Sequence, residues 1–99
     1  LMKVKDVFDN EFSLPDERIE HVRQKHPEIT MTSIKTSLSN PDCVVRGSID
    51  ENIKIYHKKK GKYYIVVVIN IYKKLIITSY TSDKLKKGDI DGQKINVFV

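Results

Sequence analysis

The sequence has one cysteine, few glycines and no apolar run long enough to cross a membrane. A single cysteine excludes an internal disulfide and a cysteine-based zinc cluster. Cys43 lies in the apolar stretch CVV, which favours a small core residue over a nucleophile. The longest apolar run, residues 63–69, is far shorter than the ~20 residues that span a bilayer. We therefore expect no membrane partner.

The usual signatures of cofactor and metal sites are also missing. The four glycines form no phosphate-binding loop, and the histidines, cysteine and carboxylates form no cluster at metal-ligand spacing. The acidic residues show no pair at a spacing suited to catalysis. We therefore predict neither a cofactor nor a bound metal. The length of 99 residues and the lack of a secretory signal pattern predict a single cytoplasmic domain over residues 1–99.

Positive charge is concentrated in the second half of the chain. Residues 1–53 carry seven Lys and Arg against ten Asp and Glu, whereas residues 54–87 carry ten Lys against one Asp. The second of these segments therefore has a net charge of +9. A segregated positive field attracts polyanions with a steep dependence on salt, although lysines on exposed strand edges also serve solubility. Charge alone slightly favours a nucleic-acid partner over the interpretation that the lysines only serve solubility.

Two helices are predicted in the first 40 residues. The first covers residues 15–26, with Ser13 as its cap, a proline and two acidic residues in its first turn, and a narrow apolar stripe. Pro27 ends this helix, because the residue before a proline is disfavoured in the α conformation. The second helix covers residues 30–39, where two apolar residues four positions apart give it one buried face.

The remaining sequence predicts strands. One segment, KYYIVVVIN, is apolar on both faces, which is typical of a central strand, and its neighbours alternate. The connections KKKGK and NIYKK resemble hairpin turns, so these strands should pair antiparallel. The fold class is therefore α+β, with N-terminal helices packed on one face of a curved antiparallel β-sheet. The predicted strands are residues 43–47, 52–58, 62–70, 73–82 and 94–99.

The stretch EHVRQKHPE, residues 20–28, places two histidines five positions apart. On a helix this spacing is about 140° of rotation, so His21 and His26 point in different directions and suit a shared metal poorly. Both are candidate proton carriers, because imidazole titrates near neutrality. Each also has a structural interpretation: His26 as a helix-end residue favoured by the dipole, and His21 as a solvated surface residue.

A second group of candidates lies in and near KIYHKKKGKYY, residues 54–64. Lysines interleaved with tyrosines suit a phosphate backbone and a stacked base, although a solvated hairpin tip has the same pattern. Lys58, which alternation places on the same strand face as Tyr56, could also stabilise a crowded phosphorane. Arg46 suits bidentate phosphate contact, with an exposed ion pair as its alternative. The candidates for nucleic-acid binding in this group are Arg46, Tyr56, Lys59, Lys60 and Lys62, and Ser79, further along the chain, is another.

The stretch ITSY, residues 77–80, ends a predicted strand with hydroxyl groups. Alternation places Thr78 and Tyr80 on one face together with Ile76, and Ser79 on the other. Two hydroxyls at a strand end bind phosphate oxygens or orient a proton carrier. The alternative is ordinary β-propensity, since threonine and tyrosine are good strand formers.

Taken in order, the segments ERIEHVRQKHPEI, IKTSLSNPDCV, NIKIYHKKK, YYIVVVIN and IITSYTSDKLKKG resemble a nuclease superfamily. It is the phage- and mobile-element-associated Barnase–EndoU–colicin–RelE (BECR) superfamily, and the resemblance covers roughly residues 13–88. Its most specific part is a helix ending in HPE, then a helix ending in NPD, then strands closing on a Thr/Ser–Tyr strand. The resemblance implies N-terminal helices on a curved antiparallel sheet and metal-independent cleavage of RNA. The recurring site residue types of the family fall on His21, His26, Lys58, Thr78 or Ser79, and Tyr80.

The chemistry implied by the resemblance is attack of the ribose 2′-OH on the neighbouring phosphorus. His26 would carry the proton, Lys58 would stabilise charge, and Thr78 and Tyr80 would position the phosphate, with His21 as a second proton carrier. His26 continues the apolar stripe of the first helix, which should bring it to the Thr78/Tyr80 end of the sheet. Such a toxin implies RNA, tRNA included, as substrate, an acidic inhibitor protein as partner, and delivery into a target-cell cytoplasm within a larger toxin. Two alternatives remain open: a non-catalytic nucleic-acid-binding module, and a protein-interaction domain of a mobile-element system.

Overall fold

A computed structural model describes residues 1–47, 50–84 and 89–90. The helices within these ranges are α1 (Asp16–Lys25) and α2 (Met31–Ser39). The strands are β1 (Met2–Lys5), β2 (Glu11–Leu14), β3 (Cys43–Arg46), β4 (Ile53–Lys60), β5 (Tyr63–Asn70), β6 (Leu75–Ser82) and β7 (Asp89–Ile90). They form one sheet in the order β1-β2-β6-β5-β4-β3-β7. The α+β class is confirmed, and the predicted strand at 94–99 lies outside the described residues.

The strands β3 to β6 pair antiparallel with their neighbours in chain order. β5 lies between β4 and β6, as its two-sided apolar sequence predicted. Lys60 pairs with Tyr63, so Gly61 and Lys62 form a two-residue loop, in which Gly61 has a φ of +62°. Glycine adopts this left-handed conformation without strain, which explains its position in the tight turn.

An N-terminal hairpin, formed by β1 and β2, was not predicted. Its second strand also pairs parallel with β6, at Ser13 and Leu75. The sheet is therefore mixed, and the predicted wholly antiparallel sheet is wrong in this respect. Ser13 lies within β2 and does not cap α1, whose N-cap is Pro15. The physical reason is the burial of Phe12 and Leu14, which commits this segment to a strand.

Both helices begin and end close to their predicted positions. α1 ends at Lys25, and His26 follows in a non-helical conformation with φ −137° and ψ 67°, as expected before a proline. α2 begins after Thr30, whose side chain and that of Ser33 form a reciprocal capping box. Neither of these two described helices has the length and apolar character that crossing a membrane requires.

The pairing register divides the sheet into two faces, because residues directly opposite each other in a ladder share a face. The α2 face contains the row Val44, Tyr56, Val67 and Ser79, and the core formed there includes Ile34 and Leu38 of α2. The opposite face contains the row Cys43, His57, Val66 and Tyr80. α2 contacts β1, β4 and β5, whereas α1 contacts β6 and adds Val22 to the core.

A register irregularity in β6 breaks the predicted alternation of that strand. Ile69 pairs with Ile76 while the preceding Val68 pairs with Thr78, so one additional residue is inserted on the β6 side. Ile76 therefore joins the core on the α2 face, whereas Thr78 lies on the opposite face with Tyr80. The prediction that Ile76 and Thr78 share one face is therefore wrong. The prediction that Thr78 and Tyr80 share one face is confirmed.

Candidate active site

His26 is fixed in place at the end of α1 by its own backbone. Its N–H donates to the carbonyl of Val22 at 2.7 Å, and its carbonyl accepts from the N–H of Ile29 at 3.0 Å. Val22 and Ile29 are both buried, so this turn is held between two core residues. The imidazole itself is half-buried, which leaves part of the ring open to a substrate.

Tyr80 of β6 is the ring neighbour of His26. The two ring centroids are 5.9 Å apart and the ring planes are inclined by 44°. The sequence placed His26 near the Thr78/Tyr80 end of the sheet, and the contact with Tyr80 agrees with this placement. Thr78, also half-buried, lies two residues earlier on the same face. An imidazole and a tyrosine side chain in the same small area can move a proton and donate a hydrogen bond to an oxyanion.

Two polar contacts connect β6 to the segment around His26. Arg18 of α1 donates from Nη1 to the carbonyl of Ile77 at 3.4 Å. Thr81 donates from its hydroxyl to the carboxylate of Glu28 at 3.0 Å. These contacts meet β6 before and after Tyr80. We call the region where α1 and the connection after it contact β6 the seam between α1 and β6. Arg18 places a cation along this seam, and Glu28 places a carboxylate there.

Arg18 and Glu28 are absent from the residues that sequence reasoning selected. A signal for Arg18 exists, because it lies four residues before the buried Val22 and so on the side of α1 that faces the protein. No comparable signal marks Glu28, since its contact with Thr81 depends on how the connection between the helices meets β6.

His21 lies further up α1 and is exposed. It lines a shallow depression of about 240 Å³ together with Glu17 and Arg18. Five residues of helix separate it from His26 by roughly 7.5 Å along the axis. The structure therefore places His21 beside Arg18, at the outer end of the seam, and not beside the His26–Tyr80 pair.

Lys58 is separated from this pair by the sheet itself. The register aligns Lys58 with Ile65 and Thr81 on the α2 face, whereas Tyr80 lies on the opposite face. The Lys58 ammonium lies 3.8 Å from a carboxylate oxygen of Asp42, and its side chain is 24 % exposed. This geometry does not support the predicted role of Lys58 at the phosphate that Tyr80 would contact.

Tyr56 and Ser79 are enclosed in the protein, and both have 0 % exposure. The Tyr56 hydroxyl donates to the Asp6 carboxylate at 2.5 Å, and the Ser79 hydroxyl donates to the Val66 carbonyl at 2.7 Å. A side chain without exposed surface cannot stack on a base or contact a phosphate. The predicted nucleic-acid contacts of these two residues are therefore wrong, because α2 and the core cover the face on which they lie.

The other basic candidates lie at opposite ends of β4. Lys60 and Lys62 are exposed at the hairpin tip, and the Lys59 ammonium lies 4.9 Å from the centre of the Tyr64 ring. Arg46 pairs with Lys54 at the other end of β4 and lines a depression of about 300 Å³. Six residues of strand separate Lys54 from Lys60, roughly 20 Å. Arg46 and the hairpin lysines therefore do not form one patch.

The opposite face also contains two buried groups that the proposed chemistry does not use. Cys43 pairs in register with His57, a fully buried residue whose ring meets that of Tyr64 edge-on at a centroid distance of 6.0 Å. Burial, and then the Asp42 carboxylate, raise the pKa of the Cys43 thiol. A raised pKa keeps the thiol protonated and unreactive at neutral pH.

We expect Cys43 to react with a soluble thiol reagent far more slowly in the native protein than in the unfolded chain. The reason is its 1 % exposure together with its raised pKa. The rate of colour release from an aromatic disulfide reagent, measured with and without denaturant at one pH, checks this. Equal rates in the two states would show an accessible thiolate and contradict the assignment.

Among the described residues, no group of three or more His, Cys, Asp or Glu side chains is arranged to hold a metal ion. Comparison with protein-family models, with curated proteins and with solved structures found no match. A functional assignment therefore depends on the residues of the seam between α1 and β6.

Proposed function

We propose that this protein is a metal-independent endoribonuclease-like toxin domain that cleaves RNA in the cytoplasm, with its site at the seam between α1 and β6. The observation that carries the proposal is the His26–Tyr80 pair, with ring centroids 5.9 Å apart. Imidazole suits proton transfer near neutral pH, and a phenol donates a hydrogen bond to a phosphate oxygen. The Arg18 guanidinium contacts β6 at the carbonyl of Ile77 and adds positive charge at the outer end of the same seam.

The proposed reaction needs only protein side chains. His26 removes the proton from a ribose 2′-OH, the 2′-oxygen bonds to phosphorus, and the bond from phosphorus to the 5′-oxygen breaks. The departing 5′-oxygen takes a proton from a protonated imidazole, either that of His26 or that of His21, the second candidate. The products are a 2′,3′-cyclic phosphate and a 5′-hydroxyl. Tyr80 stabilises the charge that develops on the phosphate oxygens, Thr78 positions them, and Arg18 adds positive charge further along the seam.

The order of elements supports a relation to the BECR nucleases. We propose that α1, α2 and the antiparallel series β3 to β6 correspond to the helices and curved sheet of that superfamily. The resemblance begins near residue 13, so β1 is an addition outside it. A toxin of this kind requires a cognate inhibitor, and the net charge of +5 favours an acidic one.

We expect the protein to cut structured RNA, tRNA included, in the presence of a chelator. The fragments should be discrete and end in 2′,3′-cyclic phosphate, because the proposed nucleophile is the 2′-OH and no metal takes part. Denaturing gels and mass spectrometry of the 3′ ends check this, with RNA of the same sequence carrying 2′-O-methyl groups as the control.

Two results would contradict the proposal. Cleavage of the methylated RNA would show that the nucleophile is not the 2′-OH. Intact RNA after long incubation would show that the domain does not cleave it. If such RNA were bound with a steep salt dependence, the protein would be a non-catalytic binding module, and salt-insensitive or absent binding would favour a protein-interaction domain.

A further inference from the structure

A groove lies between the first two turns of α2 and the tip of the β4–β5 hairpin. Its volume is about 290 Å³. Threonine and serine side chains of α2 and its N-cap form one wall, and the three consecutive lysines 58–60 form the other. Ile65, which is buried, contributes to its floor. The groove is therefore a concave surface with hydroxyl groups on one side and ammonium groups on the other.

Two of the hydroxyl groups are free to bind a ligand. The side chains of Thr30 and Ser33 bond to each other and to the backbone of the α2 cap. Thr32 and Thr36 are four residues apart, so they lie on the same side of the helix. Both are exposed and line the groove, and neither hydroxyl forms a hydrogen bond with another of the described residues. Each can therefore donate to an acceptor in the groove.

The charge of the groove is strongly positive. No carboxylate is among the described residues that line it. Asp42, just outside, lies 3.8 Å from the Lys58 ammonium and accepts from the backbone N–H of Lys59 at 2.6 Å. It holds Lys58 against the protein and offsets part of its charge, and the Lys59 ammonium lies over the Tyr64 ring, so Lys60 contributes the least compensated charge. A concave surface with a low-dielectric floor focuses the remaining field on a bound anion.

We propose that this groove binds a phosphate group of the RNA substrate away from the bond that is cut. A phosphodiester offers several acceptor oxygens and a negative charge, which match the hydroxyls of Thr32 and Thr36 and the ammonium groups of Lys58 and Lys60. The identity of the ligand as substrate RNA rests on the proposed function, whereas the anion-binding chemistry rests on the groove alone.

The position of the groove fits a substrate that extends from the reaction site. The connection between the helices carries His26 at one end and Thr30, at the groove, at the other. Within the sheet, Lys58 is aligned with Thr81, which bonds to Glu28. Two strand spacings separate them, about 10 Å. An RNA strand bound at the His26–Tyr80 pair therefore reaches the groove by passing over this connection.

The test uses a fluorescent 2′-deoxyoligonucleotide, which has the same phosphates and cannot be cut. In fluorescence anisotropy, T32V/T36V should weaken its affinity by about tenfold at fixed salt, because two hydrogen bonds to an anion are lost. K58Q/K60Q should lower the slope of log affinity against log salt by about 0.7, because the groove contacts one phosphate and each phosphate contact on a single strand contributes about that amount. Lys35→Gln, on the exposed side of α2, is the matched control and should change the affinity little.

The cleavage assay separates this proposal from the proposed function. T32V/T36V should raise the KM for long RNA and leave cleavage of a dinucleotide unchanged, because a dinucleotide does not reach the groove. Wild-type affinity in T32V/T36V, or competition by oligoglutamate as strong as that by an oligonucleotide of equal charge, would overturn the phosphate assignment. A wild-type protein that binds the oligonucleotide through Thr32 and Thr36 but leaves RNA intact would overturn only the nuclease function.

Discussion

Replacing His26 with alanine is expected to lower the rate of RNA cleavage by about 10²–10⁴, the usual cost of losing a positioned proton carrier. The change removes the ring that lies 5.9 Å from Tyr80 and leaves the backbone hydrogen bonds of the turn in place. RNA affinity and thermal unfolding should therefore remain close to those of the wild type. Rates under single-turnover conditions, with affinity measured separately on uncleavable RNA, check the expected result.

Variants at neighbouring positions locate the effect at the seam. Tyr80→Phe should slow cleavage less than His26→Ala, since it removes one hydrogen-bond donor and no proton carrier. His21→Ala should be mild if His21 only orients the substrate, and as severe as His26→Ala if the two histidines divide the acid and base roles. Gln24→Ala, on the exposed side of α1, is the control. Cleavage by His26→Ala at the wild-type rate would show that His26 is only a helix-end residue.

Replacing Asp6 with alanine is expected to lower the free energy of unfolding by about 3 kcal/mol. The Asp6 side chain is nearly enclosed and accepts hydrogen bonds from the backbone N–H groups of Phe8 and Asn10 and from the Tyr56 hydroxyl. Its loss leaves these donors unsatisfied, including the fully buried phenol of Tyr56. For a domain of this size the melting temperature should fall by roughly 12–24 °C.

Calorimetry or denaturant unfolding of matched variants checks this assignment. Tyr56→Phe should lower the free energy of unfolding by about 1–3 kcal/mol, since the hydroxyl is lost and one carboxylate oxygen of Asp6 loses its donor. Tyr72→Phe and Asp83→Ala change the same residue types at exposed positions and should lie within about 0.5 kcal/mol of the wild type. If Tyr56→Phe were as stable as the wild type, the buried bond would contribute nothing to folding.

The parts of the fold that the sequence predicted are those determined by neighbouring residues. Pro27 ends α1, α2 begins close to the predicted residue 30, and Gly61 of KKKGK forms the tight turn of the β4–β5 hairpin. Each depends on the conformational preference of one residue or on contacts within four positions. The central place of β5 was also predictable, because a strand covered on both sides must be apolar on both.

The parts that were missed depend on contacts between distant segments. Each strand of the β1–β2 hairpin has only four residues. The proline and the two acidic residues that follow β2 predict the start of a helix more strongly than the hairpin sequence predicts strands. The register irregularity opposite Val68 and Ile69 is visible only once β5 and β6 are paired. For the same reason alternation correctly placed Tyr56 and Lys58 on one face, but could not show that α2 covers Tyr56.

The candidate site was predictable in part for these same reasons. His26 and Tyr80 were selected by residue type and order along the chain, and their meeting followed from the apolar stripe of α1. Arg18 was missed although its position four residues before Val22 gave a signal, whereas Glu28 gave none, because a surface charge does not show which neighbour it will contact. Lys58 was misplaced because a strand sequence shows that two faces exist, and not which of them the histidine reaches.

The pairing of β2 with β6 at Leu75 leaves the rest of that side of β6 to α1. A strand edge with open N–H and carbonyl groups invites pairing with another chain, and proteins commonly protect it with a helix. Here α1 contacts β6 at this edge, and the guanidinium of Arg18 donates a hydrogen bond to the carbonyl of Ile77. The helix that ends beside His26 therefore also covers part of a strand edge, so that the proposed activity and the protection of this edge from pairing with another chain both depend on α1.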